Sequence, residues 1–174
     1  MAARDDAVAL LVDLGAPTVD HLGSDLLTHL LGTEALLRSW DVPEPVALAG
    51  LCHAAYGTDG FPQALLPVDD RPRLAAAIGA EAETIVYRYG SCRRDGWPAT
   101  FVDRFTGEPH DLPGGERRAL ALLTAANELD LTRRGVFDDA TRTAIADLVD
   151  RLVPDAPADA AVLAAAAAEI RPTG

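Results

Sequence analysis

The chain contains no lysine: its 15 basic residues are all arginine, set against 27 acidic residues for a net charge of −12. Alanine is also heavily used, so the missing lysine reads as GC-rich coding bias and carries no mechanistic weight. The shortage of positive charge does matter, because a phosphate backbone or an anionic membrane surface is repelled at long range. Neither nucleic acid nor membrane is an expected partner. Cysteine is nearly absent too, with only Cys52 and Cys92. Two cysteines are too few for a disulfide framework and lack any paired spacing for zinc, so both are expected to be reduced. No apolar run reaches membrane-spanning length, and the opening MAARDDAVALLVDLG has acidic residues where a signal peptide needs basic ones. A cytoplasmic location is the expectation.

What is present is ordinary globular material, 49% hydrophobic and 24% charged over 174 residues. That length suits one domain, residues 1–174, with a core over about 19–152 and an Ala-rich terminal helix over 156–170. The periodicity predicts an all-α fold. Asp5 to Leu14 reads as a leading helix stopped by Gly15 and Pro17. Ser24 is the expected N-cap of a second helix to Ser39, with His21 in the loop before it. Pro43 and Pro45 open a helix of small residues that Gly57 ends. The stretch DGFPQALLPVDDRP, with three prolines, reads as a loop that closes over something. A short turn RLAAAIG follows, then helices over Glu81–Arg94, Glu116–Arg134 and Asp138–Leu152. Alternation around Thr106 and Gly107 permits one small β-hairpin near 100–112. The final PADAAVLAAAAAEI has high helix propensity but little bulk, and is expected to pack loosely.

On a helical wheel, Leu22, Leu26, Leu30 and Leu37 share a sector with Glu34, and His29 lies on its edge. Two ionisable groups therefore border the core, and a carboxylate there must find a partner, stay protonated or reach solvent. A lone histidine in such a place is more often a hydrogen-bonded core residue than a ligand. His53 shares a helix face with Tyr56 and is surrounded by small residues, which suits a pocket wall. A Cys52–His53 nucleophile pair is disfavoured, because adjacent helical residues point about 100° apart.

The segment HLLGTEALLRSWDVPEPVALAGLCHAAYGT resembles the opening of the HD superfamily, in particular the alarmone (ppGpp) hydrolase domains. There, a histidine on one helix is followed by a His-Asp pair ending the next. The spacing of 24 positions from His29 to His53 matches that family's, and Thr58 resembles the threonine closing its motif. Downstream, AIGAEAETIVYRY and LLTAANELDLTRR are similar to the family's later helices, so the likeness runs from about Leu22 to Arg134. The resemblance implies an HD-like helical bundle in which His29 and His53 are the metal-binding histidines. Ala54 and Asn127 stand where the two metal-binding aspartates should be. His21 falls where the family has a basic residue in a nucleotide-contacting loop. The chain is also similar to small stand-alone HD-like proteins of unknown function through HLLGT and HAAYGT, which groups His29, Thr33, His53, Tyr56 and Thr58 in one site.

Two neutral imidazoles and an amide leave a divalent ion's charge unbalanced, so such a site binds weakly unless Glu34, Asp25, His21 or Glu128 completes it. The expected cofactor is therefore none, or a single divalent metal held by His29 and His53. The leading functional expectation is a small-molecule enzyme using acid–base chemistry, with His29 or His53 as base, Tyr56 as donor and Glu34 nearby. His21, Thr33, Thr58 and Asn127 are the expected ligand-binding residues. The alternatives are a non-catalytic ligand-binding module on a degenerate HD scaffold and a metal-dependent phosphohydrolase with a rebuilt site. The residues leave the substrate and the oligomeric state open.

Overall fold

The computed structural model describes residues 2–173, in which eight α-helices and one short antiparallel ladder occur. The all-α expectation holds. Helix α1 (Ala2–Asp13) ends at Gly15, whose φ of 83° lies in the left-handed region that a helix stop favours. Helix α2 (Leu26–Ser39) starts two residues later than its sequence signal suggested. Asp25 caps it instead of Ser24: one carboxylate oxygen accepts from Thr28 N at 2.9 Å and the other from the Thr28 hydroxyl at 2.6 Å. Ser24 belongs to strand β2 (Ser24–Asp25), which pairs with β1 (Asp20–His21). His21 is therefore held in a hairpin and not in an irregular loop.

Helix α3 (Glu44–Cys52) begins with Pro45 in its first turn and is shorter than expected. Residues 53–56 form turns before Gly57 (φ 67°) redirects the chain. Helices α4 (Arg71–Ile78) and α5 (Ala80–Ser91) follow, broken apart at Gly79. The hairpin anticipated near 100–112 contracts to a single bridge between Val102 and Pro109, flanked by bonds from Asp103 N to Glu108 O and from His110 N to Phe101 O, both 3.0 Å.

Helix α6 (Gly114–Arg133) is the axis of the bundle, packing on α2, α3, α5, α7 (Asp139–Leu152) and α8 (Ala160–Ile170). Its run from Ala119 to Ala126 is buried without a break, as expected of a helix surrounded on all sides. The Ala-rich end does not pack loosely. Leu163, Ala166, Ala167 and Ile170 are buried, because alanines let α8 approach α6 and α7 closely. Ion pairs Arg118–Asp159 and Arg133–Glu169 fasten it to α6, and Arg142 Nε donates to the Ile170 carbonyl at 2.8 Å. The buried apolar cluster runs from Ala7 to Ile170 and so reaches past the 19–152 core toward both ends.

The approach of α2 to α3 depends on Gly50, since a Cβ there would run into the Leu37 side chain. That contact brings the end of α3 beside the middle of α2, where His53 meets His29. No described helix is long and apolar enough to cross a membrane.

Candidate functional site

Helix α2 supplies His29, the turn after α3 supplies His53, and α6 supplies Asn127, and the three side chains converge. His29 Nε2 lies 3.3 Å from His53 Nε2 and 3.1 Å from Asn127 Oδ1. The other ring nitrogens turn outward: His29 Nδ1 is 2.7 Å from Asp130 Oδ2, and His53 Nδ1 is 2.8 Å from Gly50 O. A carboxylate and a carbonyl only accept, so these partners assign a hydrogen to each Nδ1. Both Nε2 atoms are then left with bare lone pairs pointing at each other and at an amide oxygen. Three acceptors facing one another repel unless something electropositive lies among them, and a proton or a metal ion satisfies that demand.

Asp130 sets this geometry from behind. Its Oδ2 also accepts from Arg134 Nε at 2.7 Å, and Arg134 Nη2 reaches the Thr28 carbonyl at 3.2 Å. Burial raises the Asp130 pKa, but the bonds from His29 and Arg134 outweigh it and hold the carboxyl below the usual aspartate range. The carboxylate can come this close because residue 32 on α2 is glycine. A Cβ at Gly32 would land on the Asp130 carboxylate.

His53 and Asn127 form part of the wall of a cavity of about 560 Å³, as does Ala54. His29 stands one layer deeper, fully buried. The remaining polar lining comes from Asp20, His21, Thr58, Tyr89, Arg94 and Glu128 among apolar side chains. The His21 ring is tilted over His29 with centroids 4.6 Å apart and meets Phe61 edge-on at 4.6 Å. No protein atom hydrogen-bonds either His21 nitrogen: both are buried without a partner, as is the Tyr89 hydroxyl. Burial first, then the neighbouring His29, lowers the pKa of His21 to about 4 and that of His53 to about 3. Glu128 is shifted the other way, upward, chiefly by burial.

Several expected site residues lie elsewhere. Glu34 is buried, but its carboxylate is occupied by Arg4 Nε (2.8 Å) and Arg38 Nε (2.7 Å), and Arg38 continues to Glu44. Its charge is matched within an ion-pair chain on the far side of α2, which removes it from the catalytic set. Tyr56 donates to Glu83 Oε1 at 2.9 Å, and Glu83 is clamped by Arg71 at 2.7 Å. Burial and then that carboxylate raise the tyrosine pKa, and it does not line the cavity. Thr33 is spent on the His29 carbonyl at 3.1 Å. Thr58 does line the cavity, and its Oγ1 accepts from Phe61 N at 3.0 Å, which folds the start of the 59–70 loop over the opening.

Asp130, Arg134, Tyr89 and Arg94 were not singled out by the sequence. A signal existed for the first two: a glycine inside an apolar-periodic helix has a packing or functional reason, and Asp130 with Arg134 has the spacing of a helical ion pair.

Cys52 and Cys92 are buried, and burial pushes their thiols up to about 12 and about 11, away from nucleophilic use.

Two outcomes follow from this geometry. Gly32→Ala should displace the Asp130 carboxylate, removing the low-field His29 Nδ1–H proton resonance and costing about 1–3 kcal/mol of stability; an unchanged resonance would show that the carboxylate is placed by other means. The histidines also make stability pH-dependent. Their folded pKa values lie below the ordinary 6.5, so the stabilisation is complete above that value and is lost as the pH falls toward about 4 for His21 and about 3 for His53. At about 1.4 kcal/mol per unit, His21 alone removes about 2–3 kcal/mol by pH 4.5. Urea midpoints measured between pH 7 and 4.5 should fall accordingly, and His21→Gln should flatten the slope.

Comparison with known proteins adds one match. Residues 10–94 match a family described as a domain of unknown function (DUF6817), a stretch that carries His21, His29, His53 and Arg94 and stops before Asn127 and Asp130. No curated protein and no solved structure matches the chain.

Proposed function

We propose that this chain is an HD-like enzyme that performs acid–base chemistry on a small molecule bound beside His53. The observation that carries this reading is the chain of contacts Asp130–His29–His53, which ends on a cavity where the His21 nitrogens and the Tyr89 hydroxyl lack protein partners. In support of the HD-like scaffold, His29 lies within 3.3 Å of both His53 and Asn127, the three positions that match its ligands, and Ala54 lines the same cavity as His53 and Asn127.

The roles follow from placement. Asp130, anchored by Arg134, fixes the tautomer and orientation of His29, as a carboxylate behind an imidazole does in hydrolytic triads. His53, kept neutral by burial, is the base at the cavity wall, with its Nε2 backed by His29. His21 remains neutral at physiological pH and offers unpartnered nitrogens to a ligand. The Tyr89 hydroxyl takes the donor role expected of Tyr56. A site of this volume falls within the range that encloses a small organic ligand.

A divalent ion between the two Nε2 atoms is a second reading, favoured by the spacing. Two ligand atoms about 2.0–2.1 Å from one ion at a tetrahedral angle stand about 3.3 Å apart. The outward-bonded Nδ1 atoms are also what metal-binding histidines require. Among the described residues no three His, Cys, Asp or Glu side chains converge as a metal-binding group. The third protein ligand would therefore be the Asn127 amide, with an anionic ligand needed to balance the charge. Such an ion would supply Lewis-acid polarisation of a ligand oxygen.

Once turnover of any substrate is detected, His53→Gln and Asp130→Asn should each lower kcat about 10²- to 10⁴-fold, whereas Glu34→Gln and Tyr56→Phe should leave it within a few-fold. Full activity in His53→Gln would reduce the pocket to a binding module. The ion is tested separately: the double change Ala54→Asp with Asn127→Asp adds the missing carboxylates. At 100 times Kd, Mn²⁺ should then stabilise the variant by about 2.7 kcal/mol, a rise of roughly 5–10 °C in melting temperature. A comparable rise in the unmodified chain would mean that His29, His53 and Asn127 hold an ion without them.

A further inference from the structure

Among the described residues Arg94 is the one guanidinium lining the cavity, and no carboxylate forms an ion pair with it, although Glu128 of the same cavity acts on it at longer range. It lies over the Tyr89 ring at 4.5 Å, and among the described residues no carboxylate comes within 4.0 Å of it. The contrast with the rest of the chain is instructive. Every other arginine pairs with a carboxylate, as Arg38, Arg71 and Arg134 do, or donates to backbone carbonyls, as Arg104 and Arg142 do, or stands in solvent, as Arg151 does. In a protein with 27 acidic residues to draw on, a partly buried guanidinium without a partner is an interaction held open.

Two further observations point to the same space. The His21 nitrogens and the Tyr89 hydroxyl are buried there without partners, although His21 is only 8% exposed and Tyr89 1%. Around these groups the lining is apolar: Leu22, Phe61, Leu131, Phe137 and Leu148. A ligand that satisfies the site must bring one anionic head and an oil-like body.

We infer that the cavity binds a small carboxylic acid, its carboxylate on Arg94 and its apolar body against Phe61, Phe137 and the leucines. This rests on the reading of the cavity as a ligand site and adds the substrate class to it. The planar guanidinium fork matches a carboxylate with two parallel hydrogen bonds. A phosphate monoester is disfavoured, because its second negative charge would have a single cation to meet and would share the cavity with Glu128 and Asp20. The Tyr89 ring is stacked under the guanidinium, and its unpartnered hydroxyl adds a donor to the same head. His53 and His21 then lie along the ligand's body, where the carbon or heteroatom next to the carboxylate would be handled.

The test uses the full chain with phenylacetate and octanoate as probes, against phenylacetamide and phenyl phosphate, by calorimetric titration and thermal shift. Both carboxylates should raise the melting temperature, and phenylacetate should bind about 10- to 100-fold more tightly than its amide. Arg94→Met should abolish that preference and Arg94→Lys should retain part of it. Glu128→Gln should tighten carboxylate binding several-fold, a readout that survives even if Arg94→Met fails to fold. His53→Gln should leave phenylacetate affinity within a few-fold, so that loss of chemistry and loss of ligand are told apart. Equal binding of the amide or of phenyl phosphate, no response to either carboxylate, or unchanged affinity in Arg94→Met would each overturn the assignment.

Discussion

The hydrogen bond between His29 Nδ1 and Asp130 Oδ2 joins the middle of α2 to the end of α6, 101 residues apart in sequence. Everything else in the site is arranged around it. It fixes the His29 tautomer, which in turn aims Nε2 at His53 and Asn127, and it gives the buried ring an anionic hydrogen-bond partner. Gly32 makes the bond possible by leaving out a side chain, at the expense of about 1 kcal/mol of helix propensity relative to alanine. The arrangement is thus a local weakness of α2 exchanged for a polar contact between two helices.

Most of the remaining buried charge has a different purpose. Glu34 with Arg4 and Arg38, and Glu83 with Arg71 and Tyr56, are closed groups whose hydrogen-bonding capacity is used up within the protein. They tie α1 to α2 and α4 to α5 and the turn after α3. The cavity groups differ in being left open. This distinction, between polar groups that satisfy one another and polar groups that face an enclosed space, separates scaffold from site in a chain where both kinds use the same residue types.

The helices were legible because their signals are local: Gly15, Pro43, Pro45, Gly79 and Asp138 stand where caps and breakers belong, and the apolar periodicity of α2 is plain. The two histidines and Asn127 were legible from spacing and resemblance. Glu34 and Tyr56 were misplaced for a physical reason. A helical wheel shows which residues share a face, but not whether an arginine from another helix has already taken the carboxylate. Tyr89 and Arg94 escaped notice because sequence spacing does not record whether a group is left without a partner, and Asp130 because its bond to His29 spans 101 residues, although its helical spacing to Arg134 is visible. The hairpin at Asp20–Asp25 has only two residue pairs, too short to leave a strand-like alternation.

The separation of the two halves of the site along the chain also sets the order in which its chemistry comes into being. During synthesis His21, His29, His53 and Arg94 emerge well before Asn127 and Asp130, and domains are built from the N-terminus at about 5–20 residues per second. Until α6 docks, the imidazoles of α2 and the α3 turn have no carboxylate behind them and no wall to exclude water, so they behave as ordinary exposed histidines. The perturbed groups appear together when α6 closes the core. The docking of α6 on α2 and the formation of the His29–Asp130 contact are the same event, and a chain in which α6 has not docked lacks that contact.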